Sequence, residues 1–146
     1  MTKKETTCSR IKQSWLAISR MYNNEAVNHD LTTTTGFILL NIDSHAGTPS
    51  TQIGPLLGME ATSLSRTLNQ LELKGIIKRK KDKQDARIVR IMLTAKGKKK
   101  KEISKKTVKD FNQIITEKYT QDELDTFHAM LHDITALSIE TKFSTI

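Results

Sequence analysis

The chain has little cysteine and no long apolar segment, and each of these features excludes a class of protein. Its 146 residues include one cysteine, Cys8, so no internal disulfide can form and a reducing compartment is favoured. No apolar run reaches the roughly 18 residues of a membrane-spanning helix, and no apolar segment follows the first residues as a secretion signal requires. We therefore expect a soluble, cytoplasmic protein with no membrane partner.

Residue patterns that support catalysis or metal binding are also missing. The sequence has no glycine-rich phosphate loop, no Ser, His and Asp in an order that suggests a triad, and no paired carboxylates in an apolar setting. His128 and His132 have the i, i+4 spacing of a helical zinc site, but no glutamate follows the first histidine as in zincins. A polar helix face explains both histidines. We expect no enzyme, no cofactor and no metal.

Positive charge is what the chain has in excess, and it is concentrated in one stretch. The formal net charge is +8. Residues 74–109 contain sixteen Lys and Arg residues against three acidic ones, whereas the remainder contains eight basic and thirteen acidic residues. A basic stretch between acidic flanks indicates a dedicated polyanion-binding surface rather than diffuse solubility charge.

Apolar residues at helical spacing predict helices on both sides of the basic stretch. One helix is predicted around Trp15, and a second begins near Thr32 to Thr35, whose hydroxyl groups suit an N-cap. A short third helix is predicted with Ser50 as its cap. Pro55 lies inside it and lacks the N–H of the i−4 hydrogen bond, so this helix should be short or distorted.

The fourth helix and the residues after it have the pattern of a helix-turn-helix followed by a two-stranded wing. Leu64, Leu68 and Leu71 line one face of the helix, and Gly75 suits a left-handed C-cap that ends it. A basic hairpin follows from Ile76 to Thr94, and its second strand alternates apolar and polar residues so that one face is dry.

Two long helices complete the predicted order. Thr94 is the expected cap of the fifth helix, and Thr120 with Glu123 forms a capping box for the sixth. Lys98 to Lys101 at the start of the fifth helix either contact flanking DNA or form a solvated helix start. The terminal helices carry more apolar residues than one small domain needs to cover. They therefore either pair with a second copy of the chain or pack only on their own core.

The start of the fourth helix carries side chains that suit DNA. Thr62 and Ser63 are short enough for the helix to enter a major groove, and Arg66 can reach O6 and N7 of a guanine. Alternatively, the two hydroxyl residues only cap the helix and Arg66 is a solvated surface residue. The hairpin favours DNA, because Asp85 can brace Arg87 at its tip for the narrow minor groove of A·T-rich DNA.

Two stretches in this order resemble the MarR/SlyA family of bacterial transcription regulators. Residues 59–77 resemble that family's recognition helix, and residues 85–97 resemble its wing signature, an Asp-x-Arg tip followed by Leu-Thr-x-x-Gly. The helix order outside them matches as well. The resemblance implies a mainly α (α+β) fold, with residues 31–94 as a winged helix-turn-helix DNA-binding lobe. Residues 1–30 and 95–146 would form a helical dimerisation region.

The resemblance also implies roles for individual residues. Thr62, Ser63 and Arg66 match the positions that read base edges in the major groove. Arg87 matches the wing arginine of the minor groove, and Asp85 matches its brace. Phosphate contacts are expected from Thr51, Ser65, Thr67, Asn69, Lys80 and Arg90.

Relatives in this family bind small aromatic or lipophilic molecules between the dimer helices and the DNA lobe. The candidates for such a pocket here, each otherwise an ordinary core or surface residue, are Trp15, Tyr22, Phe37 and His45. Peroxide-sensing relatives carry a reactive cysteine in the first helix, but this chain has Lys12 at the matching position before Ser19 and Arg20. Cys8 is therefore expected to be a free thiol rather than a sensor.

The predicted function is that of a sequence-specific transcriptional regulator, a ligand-responsive repressor that binds a palindromic site on double-stranded DNA as a homodimer. The alternative is a sequence-tolerant DNA architectural protein that uses charge without base readout. Salt dependence does not separate the two, because both release counterions. A preference of ~10³-fold or more for one palindrome over random duplex does separate them.

Overall fold

The computed structural model describes residues 5–144, and residues 1–4 and 145–146 of the predicted dimerisation region lie outside this part. The elements follow the order α1 Thr7–Val27, α2 Thr33–Leu40, β1 Thr48–Pro49, α3 Ser50–Leu57, α4 Ala61–Leu73, β2 Ile77–Lys81, β3 Val89–Leu93, α5 Ala95–Lys118 and α6 Gln121–Glu140. The chain divides into two compact units, residues 1–107 and 108–146, and the boundary in the sequence falls within α5. Across the described residues, no helix has the length and apolarity to cross a bilayer.

Side-chain caps set the starts of three helices where the sequence predicts them. At α2, Thr32 Oγ1 accepts from the N–H of Thr35 at 3.1 Å, and Thr35 Oγ1 accepts from the N–H of Thr32 at 2.8 Å. Thr120 and Glu123 form the same reciprocal pair at α6. Thr94 Oγ1 accepts an N–H bond from the first turn of α5 at 3.1 Å. All three predicted caps are confirmed, since each depends only on residues one turn apart.

The helix around Pro55 is short, as predicted, but the prediction that Ser50 caps it is wrong. Ser50 is the first helical residue of α3, and Pro49 holds the N-cap position without a side-chain hydrogen bond. The reason is that the two residues before α3 form strand β1, where Thr48 pairs with Ile91 of β3. Two residues are too few to show a strand alternation, so the sequence did not indicate β1.

The three strands form one antiparallel sheet in the order β1-β3-β2, and β2 pairs with β3 from Ile77–Leu93 to Lys81–Val89. The predicted dry face of β3 is only partly confirmed, because Val89 pairs at the outer end of the hairpin and is exposed. The leucines predicted on the fourth helix are all buried. The core of the first unit consists of Leu31, Ile38, Leu39, Ile42, Ile53, Leu64, Leu68, Leu71, Ile76, Ile77, Ile91 and Leu93.

The start of α5 packs directly on the beginning of β2 through Gly97. A Cβ atom placed on this buried glycine would lie 2.0 Å from the carbonyl oxygen of Ile76. Thr94 Oγ1 reinforces the contact, because it donates to the carbonyl oxygens of Gly75 at 2.6 Å and Ile76 at 3.0 Å. Only a residue without a side chain allows this approach.

Lysines of α5 bind backbone carbonyl groups that follow three other helices. The three contacts join Lys96 Nζ to Lys74 O after α4, Lys100 Nζ to His29 O after α1, and Lys101 Nζ to Ile42 O after α2. A positive charge near a helix carboxyl end is favourable because it opposes the helix dipole. Of the predicted DNA-facing or solvated cluster, Lys98 and Lys99 are exposed, whereas Lys100 and Lys101 are partly buried.

Exposed apolar side chains occur in both compact units. In residues 108–146, α6 buries only Leu124, and more than half of the surface of Phe127, Met130, Leu137 and Ile139 is exposed. In residues 1–107, α1 lies wholly within the described part and buries no residue, and Trp15 is 51% exposed. Large apolar side chains exposed on a helix suit burial against another surface.

Candidate nucleic-acid interface

The first turn of α4 presents the predicted base-reading residues to solvent. Thr62, Ser63 and Arg66 are all exposed. Glu60 is the N-cap of this helix, and no side chain of the described residues caps it. The alternative that Thr62 and Ser63 serve only as caps is therefore wrong, since both lie inside the helix. Arg66 forms no ion pair with any residue between 5 and 144, so its guanidinium group is available.

The six predicted phosphate contacts fall into two groups. Thr51 on α3, Ser65 on α4 and Lys80 on β2 are exposed. The other three make contacts within the chain: Thr67 donates to Ser63, Asn69 accepts from Arg79, and Arg90 donates to Asp82. Half of the predicted phosphate-contact residues therefore form hydrogen bonds within the chain, which the sequence analysis did not predict.

Arg79 joins the fourth helix to the wing. Its Nη1 donates to Glu72 Oε1 at 2.9 Å, its Nη2 donates to Asn69 Oδ1 at 2.8 Å, and its backbone N–H donates to Glu72 Oε2 at 3.1 Å. These contacts connect β2 to the last two turns of α4. The strand alternation was a signal for this role, because Arg79 lies on the same strand face as the buried Ile77.

The predicted contact between Asp85 and Arg87 is present at the hairpin tip. Arg87 Nε and Nη2 donate to the two carboxylate oxygens of Asp85, each at 3.0 Å, and the backbone N–H of Arg87 donates to the same carboxylate at 3.0 Å. The guanidinium hydrogen bonds lower the pKa of Asp85 and raise the pKa of Arg87, so both groups are charged at neutral pH. Arg87 is otherwise open to solvent, with 91% of its side chain exposed.

A second acid–arginine pair lies behind the tip, and the sequence analysis missed it. Arg90 Nε donates to Asp82 Oδ2 at 2.5 Å, and Arg90 Nη1 donates to the carbonyl oxygen of Gly47 at 3.2 Å. The other oxygen of Asp82 accepts from the N–H groups of Gln84 and Asp85 at 2.8 and 3.0 Å. The side-chain bond from Arg90 and these two backbone bonds lower the pKa of Asp82 to about 2. An Asx turn beginning at Asp82 was the available sequence signal.

The exposed lysines of the hairpin surround an open cavity next to the loop between α2 and β1. Its volume is about 370 Å³, and its lining includes Lys80, Lys81, Lys83 and His45. The Asp82–Arg90 pair also lines it, so the three lysines leave the cavity with an excess of positive charge. Its charge suits a phosphate backbone.

The structure brings together three of the four predicted pocket residues. Phe37 of α2 stacks on Trp15 with ring centroids 6.2 Å apart, and its ring meets Tyr22 edge-on at 6.0 Å. Burial raises the pKa of the Tyr22 hydroxyl. His45 is elsewhere, because its backbone N–H binds Asp43 Oδ1 at 2.8 Å in the loop that borders the wing cavity.

The cysteine and the two histidines considered for redox sensing and metal binding lie on exposed helix surfaces. Cys8 is exposed in the first turn of α1, and His128 and His132 are exposed on α6. Among residues 5–144, no three His, Cys, Asp or Glu side chains are grouped to hold a metal ion.

Comparisons with known proteins connect this geometry to one family. The profile of the MarR family matches residues 31–89. The HTH-type transcriptional regulator SarZ of Staphylococcus aureus (strain MRSA252) is 30% identical over 109 residues, 72% of this chain and 72% of that protein. The uncharacterized HTH-type transcriptional regulator YybA of Bacillus subtilis (strain 168) is 25% identical over 118 residues, 81% of this chain and 79% of that protein. The solved structure of the transcriptional repressor CouR bound to a 23-mer DNA duplex is 26% identical and covers 89% of this chain and 92% of its own, with a TM-score of 0.76.

Proposed function

Because this chain belongs to the MarR family of transcriptional regulators, we propose that it binds a palindromic DNA site as a homodimer and represses transcription until a small ligand releases it. It is a DNA-binding winged-helix regulator and not an enzyme. The observation that carries the proposal is the exposed Thr62–Arg66 face of α4, tied by Arg79 to a hairpin that ends in the Asp85–Arg87 pair.

In this proposal the first turn of α4 enters the major groove. Thr62 and Ser63 contact base edges or adjacent phosphates, and Arg66 binds O6 and N7 of a guanine with its two-pronged guanidinium group. The uncapped N–H groups at the start of α4 suit a phosphate oxygen. Arg87 enters the neighbouring minor groove, where its charge is favoured if the groove is narrow.

The free basic and hydroxyl side chains contact the phosphates. Thr51, Ser65 and Lys80 are exposed and suit direct phosphate contacts. Thr67, Asn69 and Arg90 bind within the chain and support these contacts by holding the helix and the hairpin in place. Several arginines and lysines are bound within the chain. The slope of DNA affinity against salt concentration should therefore correspond to fewer phosphate contacts than the number of basic residues in this stretch indicates.

The exposed apolar side chains of the terminal helices support a homodimer. On α6 these are Phe127, Met130, Leu137 and Ile139, and on α1 they include Trp15. Burial of such side chains against a second copy would contribute roughly 25 cal/mol per Å² of apolar surface removed from water, which offsets the entropy lost on association. Two DNA-binding lobes about 34–36 Å apart would then read the two halves of a palindrome on one side of the duplex.

Selection of bound fragments from a random duplex library tests the proposal. We expect one inverted repeat, bound ~10³-fold or more above random duplex, and two chains per duplex by light scattering. Uniform binding of all duplexes would support the sequence-tolerant architectural protein instead. A single chain in free solution at micromolar concentration would contradict the dimer.

The aromatic cluster of Trp15, Tyr22 and Phe37 supports a site for a small aromatic or lipophilic effector. Trp15 is the one tryptophan of the chain and is half exposed, so its fluorescence reports binding at this place. We expect a compound that quenches Trp15 emission to weaken operator binding by about 5- to 150-fold. Phe37→Leu should remove this response, whereas Leu16→Ala, an apolar change on α1 at a position as exposed as Trp15, should retain it. Quenching without any change in DNA affinity would contradict an effector role.

A further inference from the structure

We propose that Asp82 and Arg90 are positioning residues that hold the wing arginine Arg87 in place relative to the loop between α2 and β1. The proposal deepens the proposed function and rests on it, because it assumes that Arg87 enters the minor groove. It assigns a role to two side chains that do not themselves need to touch DNA.

The loop between α2 and β1 is a firm anchor because its own backbone is tied together. Asp43 Oδ1 accepts from the N–H groups of His45 at 2.8 Å and Ala46 at 2.7 Å, and Asp43 O accepts from the N–H of Gly47 at 3.1 Å. Gly47 has a φ of +68° and lies so close to β3 that a Cβ would be 2.7 Å from Ile91 O. The loop therefore rests on the sheet in one defined conformation.

An unbroken series of hydrogen bonds runs from this loop to Arg87. Arg90 Nη1 donates to Gly47 O at 3.2 Å, and Arg90 Nε donates to Asp82 Oδ2 at 2.5 Å. Asp82 Oδ1 accepts from the N–H of Asp85 at 3.0 Å, and the Asp85 carboxylate accepts two hydrogen bonds from the Arg87 guanidinium group. Gly47 lies 43 positions before Arg90 in the sequence, so this series ties the tip to a distant part of the chain.

Backbone pairing of β2 with β3 extends to Lys81–Val89, and the N–H of Asp82 donates to Ile88 O at 2.9 Å, but the tip beyond has little apolar cover. Ile88 and Val89 are exposed, and the buried core reaches no farther along β3 than Ile91. A hairpin without apolar cover is only marginally stable by itself, so the direction of the tip depends on its polar contacts. Asp82 is the most enclosed of these partners, with 11% of its side chain exposed.

The strand register explains why an acidic residue is needed behind the tip. Lys80 lies directly opposite Arg90 in the β2–β3 pair, and like charges in that position repel each other. The carboxylate of Asp82 offsets this repulsion and holds the Arg90 guanidinium group in the direction of Gly47. Without it, Arg90 would lose its fixed direction and the tip would lose its connection to the loop.

The experiment measures operator binding for Arg90→Lys and Asp82→Asn, each alone and combined with Arg87→Ala. Arg90→Lys keeps the charge and loses the two-pronged geometry, so nonspecific attraction to DNA is unchanged. We expect each single change to lower the affinity for an operator with A·T-rich flanks about tenfold. Neither should lower it for the same operator with G·C-rich flanks, where the minor groove is wide. Ala86→Ser, a charge-neutral change at an exposed position of the same turn, is the control and should have no effect.

The double variants distinguish positioning from a separate contact. If Asp82 and Arg90 act through Arg87, their substitution should cost nothing further once Arg87 is alanine. Additive losses, or equal losses with both kinds of flank, would overturn the inference while leaving the proposed function intact. Absence of any preferred operator for the unmodified protein would instead reject the proposed function and this inference with it. Circular dichroism and Tm at equal chain concentration identify a variant that fails to fold. If either Arg90→Lys or Asp82→Asn fails to fold, the other variant tests the inference.

Discussion

Replacing Arg66 with alanine should lower the affinity for the preferred palindrome by about 10²-fold or more and leave the affinity for random duplex almost unchanged. A bidentate arginine–guanine contact discriminates by ~1–3 kcal/mol, and the proposed homodimer would make the contact twice. Arg66 is exposed and has no ion partner between residues 5 and 144, so its removal breaks no ion pair among them. Titrations of both duplexes at one salt concentration measure the effect, because affinities at different salt concentrations are not comparable.

Two further substitutions separate the effect of the paired guanidinium donors on DNA affinity from the effect of positive charge. Arg66→Lys retains the charge but not the paired donors, so it should resemble alanine on the palindrome and the unmodified protein on random duplex. Lys80→Ala removes a charge from the wing and should weaken all duplexes alike. Equal losses on palindrome and random duplex for Arg66→Ala would refute base readout by this residue.

Gly97→Ala should destabilise the protein by about 1–3 kcal/mol, as overpacking of a close contact does, and lower its Tm by several degrees. The new methyl group would lie 2.0 Å from the backbone carbonyl oxygen of Ile76, so α5 and the start of β2 must move apart. Helix propensity predicts the opposite sign, because alanine is favoured over glycine by ~1 kcal/mol in a helix. Thermal or urea unfolding at equal chain concentration measures which effect is larger.

Gly36→Ala is the matched control for this prediction. Gly36 is also a buried helical glycine, but a Cβ there meets only the Ser104 side chain, with Oγ at 3.3 Å, and a shift of a few tenths of an ångström relieves the contact while Oγ still donates to Lys100 O. The stability of the Gly36→Ala protein should equal or exceed that of the unmodified protein, because alanine has the higher helix propensity. A Gly97→Ala protein as stable as Gly36→Ala would show that α5 does not need this close approach.

Local patterns were predictable because the interacting residues lie within one turn or one strand of each other. The Thr32 and Thr120 caps join residues three apart, the α4 leucines repeat at helical spacing, and the Asp85–Arg87 contact joins residues two apart. In each case the chain geometry brings the side chains together whatever the rest of the fold does.

Long-range contacts were not predictable from spacing. Arg90 meets Gly47 across 43 residues, and Lys100 meets His29 across 71 residues. Nothing in the sequence near Lys100 distinguishes it from Lys99, which is exposed. The sequence analysis grouped His45 with three aromatic residues, but the loop of His45 leads into β1 at the edge of the sheet and places His45 beside the wing.

The sequence by itself determined the order of the helices, the hairpin, the family and the positions of Arg66 and Arg87, because periodicity, caps and short motifs are local properties of the chain. Only the tertiary structure decided which positive charges remain available to DNA. Arg79, Arg90, Lys96, Lys100 and Lys101 bind carboxylate, amide or carbonyl oxygens of the chain itself. The physical reason is that a cation binds whichever oxygen lies within hydrogen-bonding distance, and that distance exists only after the chain has folded.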